Sequence, residues 1–417
     1  MLDSENNQLF QALRQFAGPG NVRSLQSQEV SRRTEEAETP VLVFNPSKTV
    51  STDLVRRGYT NTQRFLALPS HSAPRWLLPL GNLHWTISGA QIYAPYARKA
   101  RMMKGLLTAL IRTGWSGWTR DRVLITSREP LPINALVTEV TGERHPVFAL
   151  SLGNRIAIRK LTVQVMRPDG EVLGYIKLPL TSTAIERIRH ESSTLERLSN
   201  FPALRPNIPR LLYAGEWGEG WILFQSPLRG KLGPADFTRM HADFLRTLWN
   251  AHQVEKPGRS LTEQVGGKWK TTSCSLGSEW ERLAREVLRR SARDLEQLTV
   301  RCGISHGDFA PWNTRVQGGR LLSFDWESTN WEAPRSWDIF HFDLQTEMSL
   351  KRHIQHSFPP DSNVIRQNSY LLYLLSSVIR FFQEGNLAAI AYCRELLVRQ
   401  LAETANMGSD RLYAHSS

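Results

Sequence analysis

Four residues within one twenty-residue stretch have the types and spacing that phosphoryl transfer needs. In ISHGDFAPWNTRVQGGRLLSFDWE, His306, Asp308 and Asn313 follow the pattern HxDxxxxN, and Asp325 comes twelve residues after Asn313. A carboxylate can orient an attacking hydroxyl or accept its proton, while an amide oxygen and a second carboxylate can hold Mg²⁺ on the phosphates of a nucleotide. Mg²⁺ prefers hard oxygen ligands and keeps several waters, so two protein ligands suffice. Singly, each residue has a plain structural explanation, with Asp308 or Asn313 capping a turn and Asp325 ending a strand at the surface. Four of them in fixed register point to chemistry.

A second pair lies upstream. Lys177 interrupts the apolar run VLGYIKL, and Glu191 interrupts a helical run in which Ile188, Leu195 and Leu198 stand three before, four after and seven after it. Glu191 therefore sits on the stripe that a helix buries. A buried carboxylate is costly unless paired, and an ammonium on the adjacent strand is the natural partner. Glu186, the rival carboxylate, falls off that stripe. A strand Lys, a helix Glu, then HxDxxxxN and a further Asp is the order of parts that kinase-type phosphoryl transfer uses.

Particular elements must hold these groups. PVFALSL (146–152), RKLTVQVM (159–166) and EVLGYIKL (171–178) read as a three-stranded meander, with Asp169-Gly170 marking a tight two-residue turn. A helix is predicted over 183–198 and a strand over 221–225. Beyond Gly230 helical periodicity dominates, at 235–252, 278–299 and 364–403, broken by a strand-rich stretch at 302–327. There Gly318-Gly319 would turn a hairpin and bring Asp325 back beside Asn313. The expected fold class is α+β, with a small β-rich N-lobe at 141–228, a larger helical C-lobe at 229–417, and a ligand cleft between them. Ahead of them lie a polar lead-in at 1–38, read as flexible or weakly helical, and a small mixed α/β accessory region at 39–140.

Composition bounds the remaining possibilities. The 417 residues allow two to four domains, and 41% hydrophobic with 22% charged residues excludes disordered and collagen-like classes. Cys274, Cys302 and Cys393 lie far apart without a CxxC pair, which indicates neither a disulfide framework nor a cysteine zinc site. With no signal-peptide pattern and no apolar run of membrane length, a cytoplasmic protein is expected. The net charge is +13, and nearly half of it is local: seven basic and one acidic side chain between Pro95 and Thr126 give +6. There YARKARMMKGLLTALIRTGW (96–115) reads as a basic amphipathic helix. Met102, Met103, Leu106, Leu107, Leu110 and Ile111 fall on one half, and Arg98, Arg101, Lys104 and Arg112 on the other. The apolar half is expected to pack on its own domain; the alternative is a peripheral anchor on an anionic membrane surface. Charge alone would admit nucleic acid, but there is no zinc-finger spacing and the cluster carries aliphatic rather than stacking aromatic side chains, so nucleic acid is not an expected partner.

The chain resembles the aminoglycoside phosphotransferase and choline kinase family, with its two-lobed, protein-kinase-like fold. The residues that carry the resemblance are HGDFAPWN (306–313), SFDWE (323–327), EAPRSWDIFHF (332–342) and HESSTLERL (190–198), within a span from about 146 to 345. It implies an ATP- and Mg²⁺-dependent phosphotransferase with an alcohol acceptor. By the same resemblance Asp308 acts as catalytic base, Asn313 and Asp325 bind the metal, Lys177 contacts the α and β phosphates, and Glu191 orients Lys177. His306 belongs to the catalytic loop as its brace, and Asp338 supports that loop. The loop SLGNR has one glycine where protein kinases have GxGxxG, so phosphate grip there falls to backbone amides near Gly153 and Asn154. Main-chain groups near Gln225 and Ser226 would meet adenine.

A chain at +13 disfavours a polycationic acceptor and favours the hydroxyl of a sugar, a nucleoside-like metabolite or a lipid-linked glycan. The interval from Asp325 to Asp338 is too short for the activation segment of a protein kinase. The rival function is a catalytically silent, kinase-like scaffold docked at an anionic membrane or glycan-assembly surface; the presence of Asp308, Asp325 and Lys177 together counts against it.

Overall fold

The computed structural model describes residues 4–18, 23–26, 40–70, 73–114, 121–153, 159–272, 276–351 and 362–413. Its fold is α+β, and the chain divides into two units, Met1–Ser199 with Pro209–Arg229, and Asn200–Ile208 with Gly230–Ser417.

The first unit contains α1 (Ser4–Ala17), β1 (Arg23–Gln26), β2 (Val41–Phe44), α2 (Lys48–Arg56), β3 (Asn61–Leu68), β4 (Trp76–Pro79), α3 (Leu83–Gly89), α4 (Arg98–Arg112), β5 (Arg122–Ser127) and α5 (Pro132–Thr141). It continues through β6 (Val147–Ser151), β7 (Lys160–Met166), β8 (Val172–Pro179), α6 (Ser182–Ser199), β9 (Leu211–Trp217) and β10 (Gly220–Gln225). Among the described residues, ten strands join in one sheet in the order β1-β2-β5-β3-β4-β6-β7-β8-β10-β9, antiparallel except for β1 and β2. The accessory region and the β-rich lobe, read as separate at residues 140 and 141, thus share one sheet and one unit. The join is the pairing of β4 with β6, Trp76 opposite Ser151 and Leu77 opposite Leu150. It satisfies two strand edges whose backbone groups would otherwise need other partners.

Both faces of the sheet are covered, as the alternation along β3 requires: Phe65 and Ala67 enter one apolar layer, Leu66 and Leu68 the other. The polar lead-in contributes more than expected. Leu9, Leu13 and Phe16 of α1, spaced four and three apart, are buried in the first layer. The Phe16 ring meets Phe148 edge-on at 5.2 Å and Phe65 at 6.1 Å. Burying such a ring stabilises by about 1.5–3 kcal/mol, so this helix is a structural part of the unit. The β7–β8 turn also differs in form from the expected two-residue turn. It spans Arg167 to Gly170, with the Gly170 N–H donating to the Arg167 carbonyl at 2.9 Å and positive φ (+85°) at Gly170 alone. The Trp85 Nε1 of α3 donates to the Pro168 carbonyl at 2.6 Å and ties this turn to the accessory helices.

The expectation that α4 packs its apolar half on its own domain is corrected. Ile111 is fully buried and Leu107 partly so, but Met102, Met103, Leu106 and Leu110 are 75%, 64%, 55% and 37% exposed. The sheet layer beneath is already covered by Trp85, Ile87 and Ile92, so the helix meets it along one edge.

The second unit holds β11 (Lys231–Leu232), α7 (Arg239–Ala251), β12 (Gln253–Pro257), α8 (Gly258–Thr272), α9 (Ser278–Leu295), β13 (Thr299–Ser305), β14 (Thr314–Gln317), β15 (Arg320–Ser323), β16 (Asn330–Pro334), α10 (Trp337–Leu350), α11 (Asn363–Glu384) and α12 (Leu387–Tyr413). Its described strands form two small sheets, β11-β14-β15 and β12-β13-β16. Its core is helical, with Leu261 and Val265 of α8, Val287 of α9, Leu371 and Leu374 of α11 and Ile390 of α12 in one cluster. The single helix expected over 364–403 is two, because Gly385 at φ +72° ends α11 in the left-handed region. α8 escaped the periodicity reading because Gly266-Gly267 interrupts it. Among the described residues no helix is long and apolar enough to cross a membrane.

Candidate active site

The end of β13 delivers the HGDF segment, and a buried carboxylate fixes its path. Asp338, in the first turn of α10, accepts from the Ser305 hydroxyl at 2.8 Å, the His306 N–H at 2.9 Å and the Gly307 N–H at 3.0 Å. Burial pushes this carboxyl upward while the three donors pull it back. Gly307 turns the chain at φ +75°, and a Cβ there would run into the Ser328 carbonyl. The apolar letters of the motifs are anchors: Phe309 and Trp326 are fully buried, Phe309 stacked on Phe244 at 5.7 Å and Trp326 against the His306 ring at 4.4 Å.

His306 links two loops. Its Nδ1 accepts the Asp308 N–H at 3.3 Å, which leaves Nε2 to donate to the Phe324 carbonyl at 3.0 Å, one residue before Asp325. Burial lowers its pKa, so the ring is neutral with the proton on Nε2. Both nitrogens are engaged with backbone, and in this geometry His306 braces the loops.

Asp308 is one-fifth exposed and its carboxylate is almost fully engaged. Oδ1 accepts Arg380 Nη2 at 2.6 Å and His341 Nε2 at 3.0 Å; Oδ2 accepts Asn313 Nδ2 at 2.8 Å. With two acceptor positions per oxygen, one on Oδ2 is left. Burial alone would raise the Asp308 pKa, but Arg380 and His341 outweigh it and hold the carboxyl well below the usual range. His341 is itself lowered, by burial first and then by Arg380; its Nδ1 lies 3.0 Å from the Tyr373 hydroxyl, which donates to it when the ring is neutral. Arg380 also donates to the Gly307 carbonyl at 2.6 Å and to Glu384 at 3.0 Å.

The sequence reading missed Arg380 and His341. Each left a signal: His341 stands three residues after Asp338 on one helix, and Arg380 interrupts the apolar run YLLYLLSSVIRFF much as Lys177 interrupts its strand.

The hairpin of β14 and β15 brings the two proposed metal ligands together. Thr314 pairs with Ser323 and Gln317 with Arg320, and Gly318 and Gly319 make the two-residue turn with φ of +55° and +76°. The Phe324 N–H donates to the Asn313 carbonyl at 3.1 Å, setting Asp325 just beyond it. Asp325 itself is left-handed, at φ +70°, a conformation Asp tolerates better than most side chains. Both hydrogens of the Asn313 amide go to Asp308, to its carboxylate and to its backbone carbonyl at 2.9 Å. That orientation reserves Asn313 Oδ1 as an acceptor, and with the Asp325 carboxylate it supplies the hard oxygens that fit Mg²⁺.

In the first unit, Lys177 of β8 and Glu191 of α6 form the anticipated pair. Lys177 Nζ lies 2.6 Å from each Glu191 oxygen and both side chains are buried, whereas Glu186 is exposed. Gly153 closes β6 at φ +70°; Asn154 lies outside the described residues. Gln225 ends β10 opposite Tyr175, and its Oε1 is buried without a hydrogen-bond partner among the described residues. The Ser226 N–H donates to the Arg210 carbonyl at 2.9 Å and its hydroxyl accepts the Arg210 N–H at 2.9 Å, so this amide is already engaged.

No protein-family model and no curated protein matches the chain. Among solved structures it is similar to an aminoglycoside 2'-phosphotransferase-IIIa in its GDP complex, at 15% identity over 65% of this chain and 98% of that one, with a TM-score of 0.43. It is similar to a thermostable mutant of aminoglycoside phosphotransferase APH(4)-Ia in its apo form, at 14% identity over 65% and 99% of the chains, TM-score 0.46. A choline kinase, LicA from Streptococcus pneumoniae, is similar at 15% identity over 65% and 98%, TM-score 0.42.

Proposed function

We propose that this protein transfers the γ-phosphoryl group of a nucleoside triphosphate, ATP in the first instance, to the hydroxyl of a small acceptor. The observation that carries the reading is the arrangement at Asp308: a carboxylate held by Arg380, His341 and Asn313 with one acceptor position left on Oδ2. That position suits the hydrogen of an acceptor hydroxyl and would orient its oxygen for attack on phosphorus. As the new O–P bond forms and the bond to the β-phosphate oxygen breaks, the hydroxyl proton passes to Asp308 or to water. A carboxyl held so far below its usual range is a weak base and a good orienting group. That matches a loose transition state in which the proton leaves late. Asn313 Oδ1 and the Asp325 carboxylate would hold Mg²⁺, which when bound offsets the charge of the phosphates. Lys177, ion-paired with Glu191, is the group assigned to the α and β phosphates. Arg380 beside Asp308, with the net charge of +13, favours a neutral or anionic polyol over a polycation.

The test is a thermal-shift measurement followed by a screen of hydroxyl acceptors for ATP consumption, with Asp308→Asn as the blank. Mg²⁺ and ATP together should raise the melting temperature, and Asp325→Ala should remove the metal-dependent part. No shift with either ATP or GTP would replace this reading with the silent scaffold.

A further inference from the structure

Helix α4 carries an apolar face that nothing among the described residues covers. At about 100° per residue, Met102, Met103, Leu106, Ala109 and Leu110 fall within an arc of about 120°, and all five are exposed. On one side of this arc come Leu107 and Ile111, which dock the helix on the sheet. On the other come Arg98, Arg101 and Arg112, all exposed. The helix therefore presents a docked edge, then a stripe of Met, Leu and Ala with Lys99 at its N-terminal end that has no partner among the described residues, then a row of guanidinium groups. Its fifteen residues hold five basic and no acidic side chains.

We infer that this face is a docking surface for an anionic lipid bilayer. A stripe of Met and Leu side chains beside a row of Arg is the form of a helix lying in the interface: the apolar groups enter the acyl boundary and the long basic side chains reach the headgroups. Charge decides among the possible occupants. A symmetric dimer would place this face against itself and oppose two sets of Arg98, Lys99, Arg101 and Arg112, on a helix that holds no acidic side chain. Positive charge at both ends of the stripe, Arg98, Lys99 and Arg101 at its start and Arg112 at its end about 20 Å away, matches a continuous anionic plane rather than one carboxylate on a protein partner. A Met or Leu stripe without the row of Arg would not distinguish lipid from protein. Docking does not require the phosphotransfer reaction, and its failure would leave that reading untouched.

The experiment is sedimentation of the full chain with vesicles of phosphatidylcholine alone and of phosphatidylcholine mixed with phosphatidylglycerol. Two variants accompany the wild type: Arg98→Glu with Arg101→Glu and Arg112→Glu, and Met102→Ser with Met103→Ser and Leu106→Ser. The substituted side chains are exposed, and unchanged melting temperatures would verify that both variants fold. The wild type should bind the anionic vesicles, weakly or not at all the neutral ones. Each variant should lose at least about tenfold in partitioning, with the wild-type interaction weakening as salt rises. No binding to anionic vesicles overturns the proposal. So does binding that ignores the Ser substitutions, which would be adsorption by charge alone. Self-association of the wild type abolished by the Ser variant, with vesicle binding unaffected, would assign the face to a second copy instead.

Discussion

Replacing Glu191 by Gln keeps the shape of the side chain and removes its charge, which makes it a sharp probe of the Lys177 site. Lys177 Nζ is 2.6 Å from both carboxylate oxygens, and the two side chains are 6% and 0% exposed. The variant leaves an ammonium out of water with an amide where its counter-charge was. Breaking a buried pair by removing one partner costs about 3–5 kcal/mol. For a unit of this size each kcal/mol moves the unfolding transition by about 2–4 °C, so the transition should fall by about 6–20 °C. The double variant Lys177→Met with Glu191→Leu removes both desolvation costs, and replacing a whole buried pair with apolar side chains is neutral or stabilising by about 1–4 kcal/mol. It should unfold near the wild-type temperature yet respond little to Mg²⁺ and ATP, where the wild type gains about 2.7 kcal/mol at a ligand concentration of 100 times Kd. Differential scanning calorimetry with and without nucleotide reads both effects. A single-variant loss below about 1 kcal/mol would refute the buried charge pair. A full nucleotide response from the double variant would refute the role of Lys177 in phosphate binding.

Two further predictions concern the Asp308 cluster. Arg380→Met should lower kcat by about a hundredfold, the effect of a misplaced orienting group, while leaving the KM for ATP near wild type; an unchanged kcat would remove Arg380 from the positioning of Asp308. His306 and His341 both have pKa values lowered by burial, so the unfolded chain, with His near its ordinary value of about 6.5, takes up protons that the folded chain does not. Their contribution is therefore intact above about pH 6.5 and is lost as pH falls toward the folded values; a melting temperature flat from neutral pH down to about 5 would contradict the neutral assignment of both rings.

Much of the candidate site's geometry was legible in the sequence because it consists of residues out of place in their local pattern. Lys177 and Glu191 each break an apolar stripe, and burial makes such a break costly enough to demand a partner. His306, Asp308, Asn313 and Asp325 lie within one hairpin-closed stretch, where the Gly318-Gly319 turn alone fixes the register that returns Asp325 beside Asn313. Arg380 and His341 were harder to read, since they reach Asp308 from helices 33 and 72 positions along the chain. Arg380 interrupts an apolar run, but the carboxylate it meets lies 72 positions away.

The same division holds for the fold. Strand alternation, helix stripes and turn residues are local, and they determined the meander, the helix bearing Glu191 and the hairpin at the candidate metal site. Three things were decided only by tertiary structure: that α1 belongs to the core, that β4 pairs with β6 to unite the accessory strands with the meander, and that α4 docks by one edge and leaves its Met and Leu stripe outside. The reason is physical. A pattern along the chain states which groups must leave water, whereas the surface that receives them is built from distant segments, and its remaining space sets which apolar face is buried and which is left for another partner.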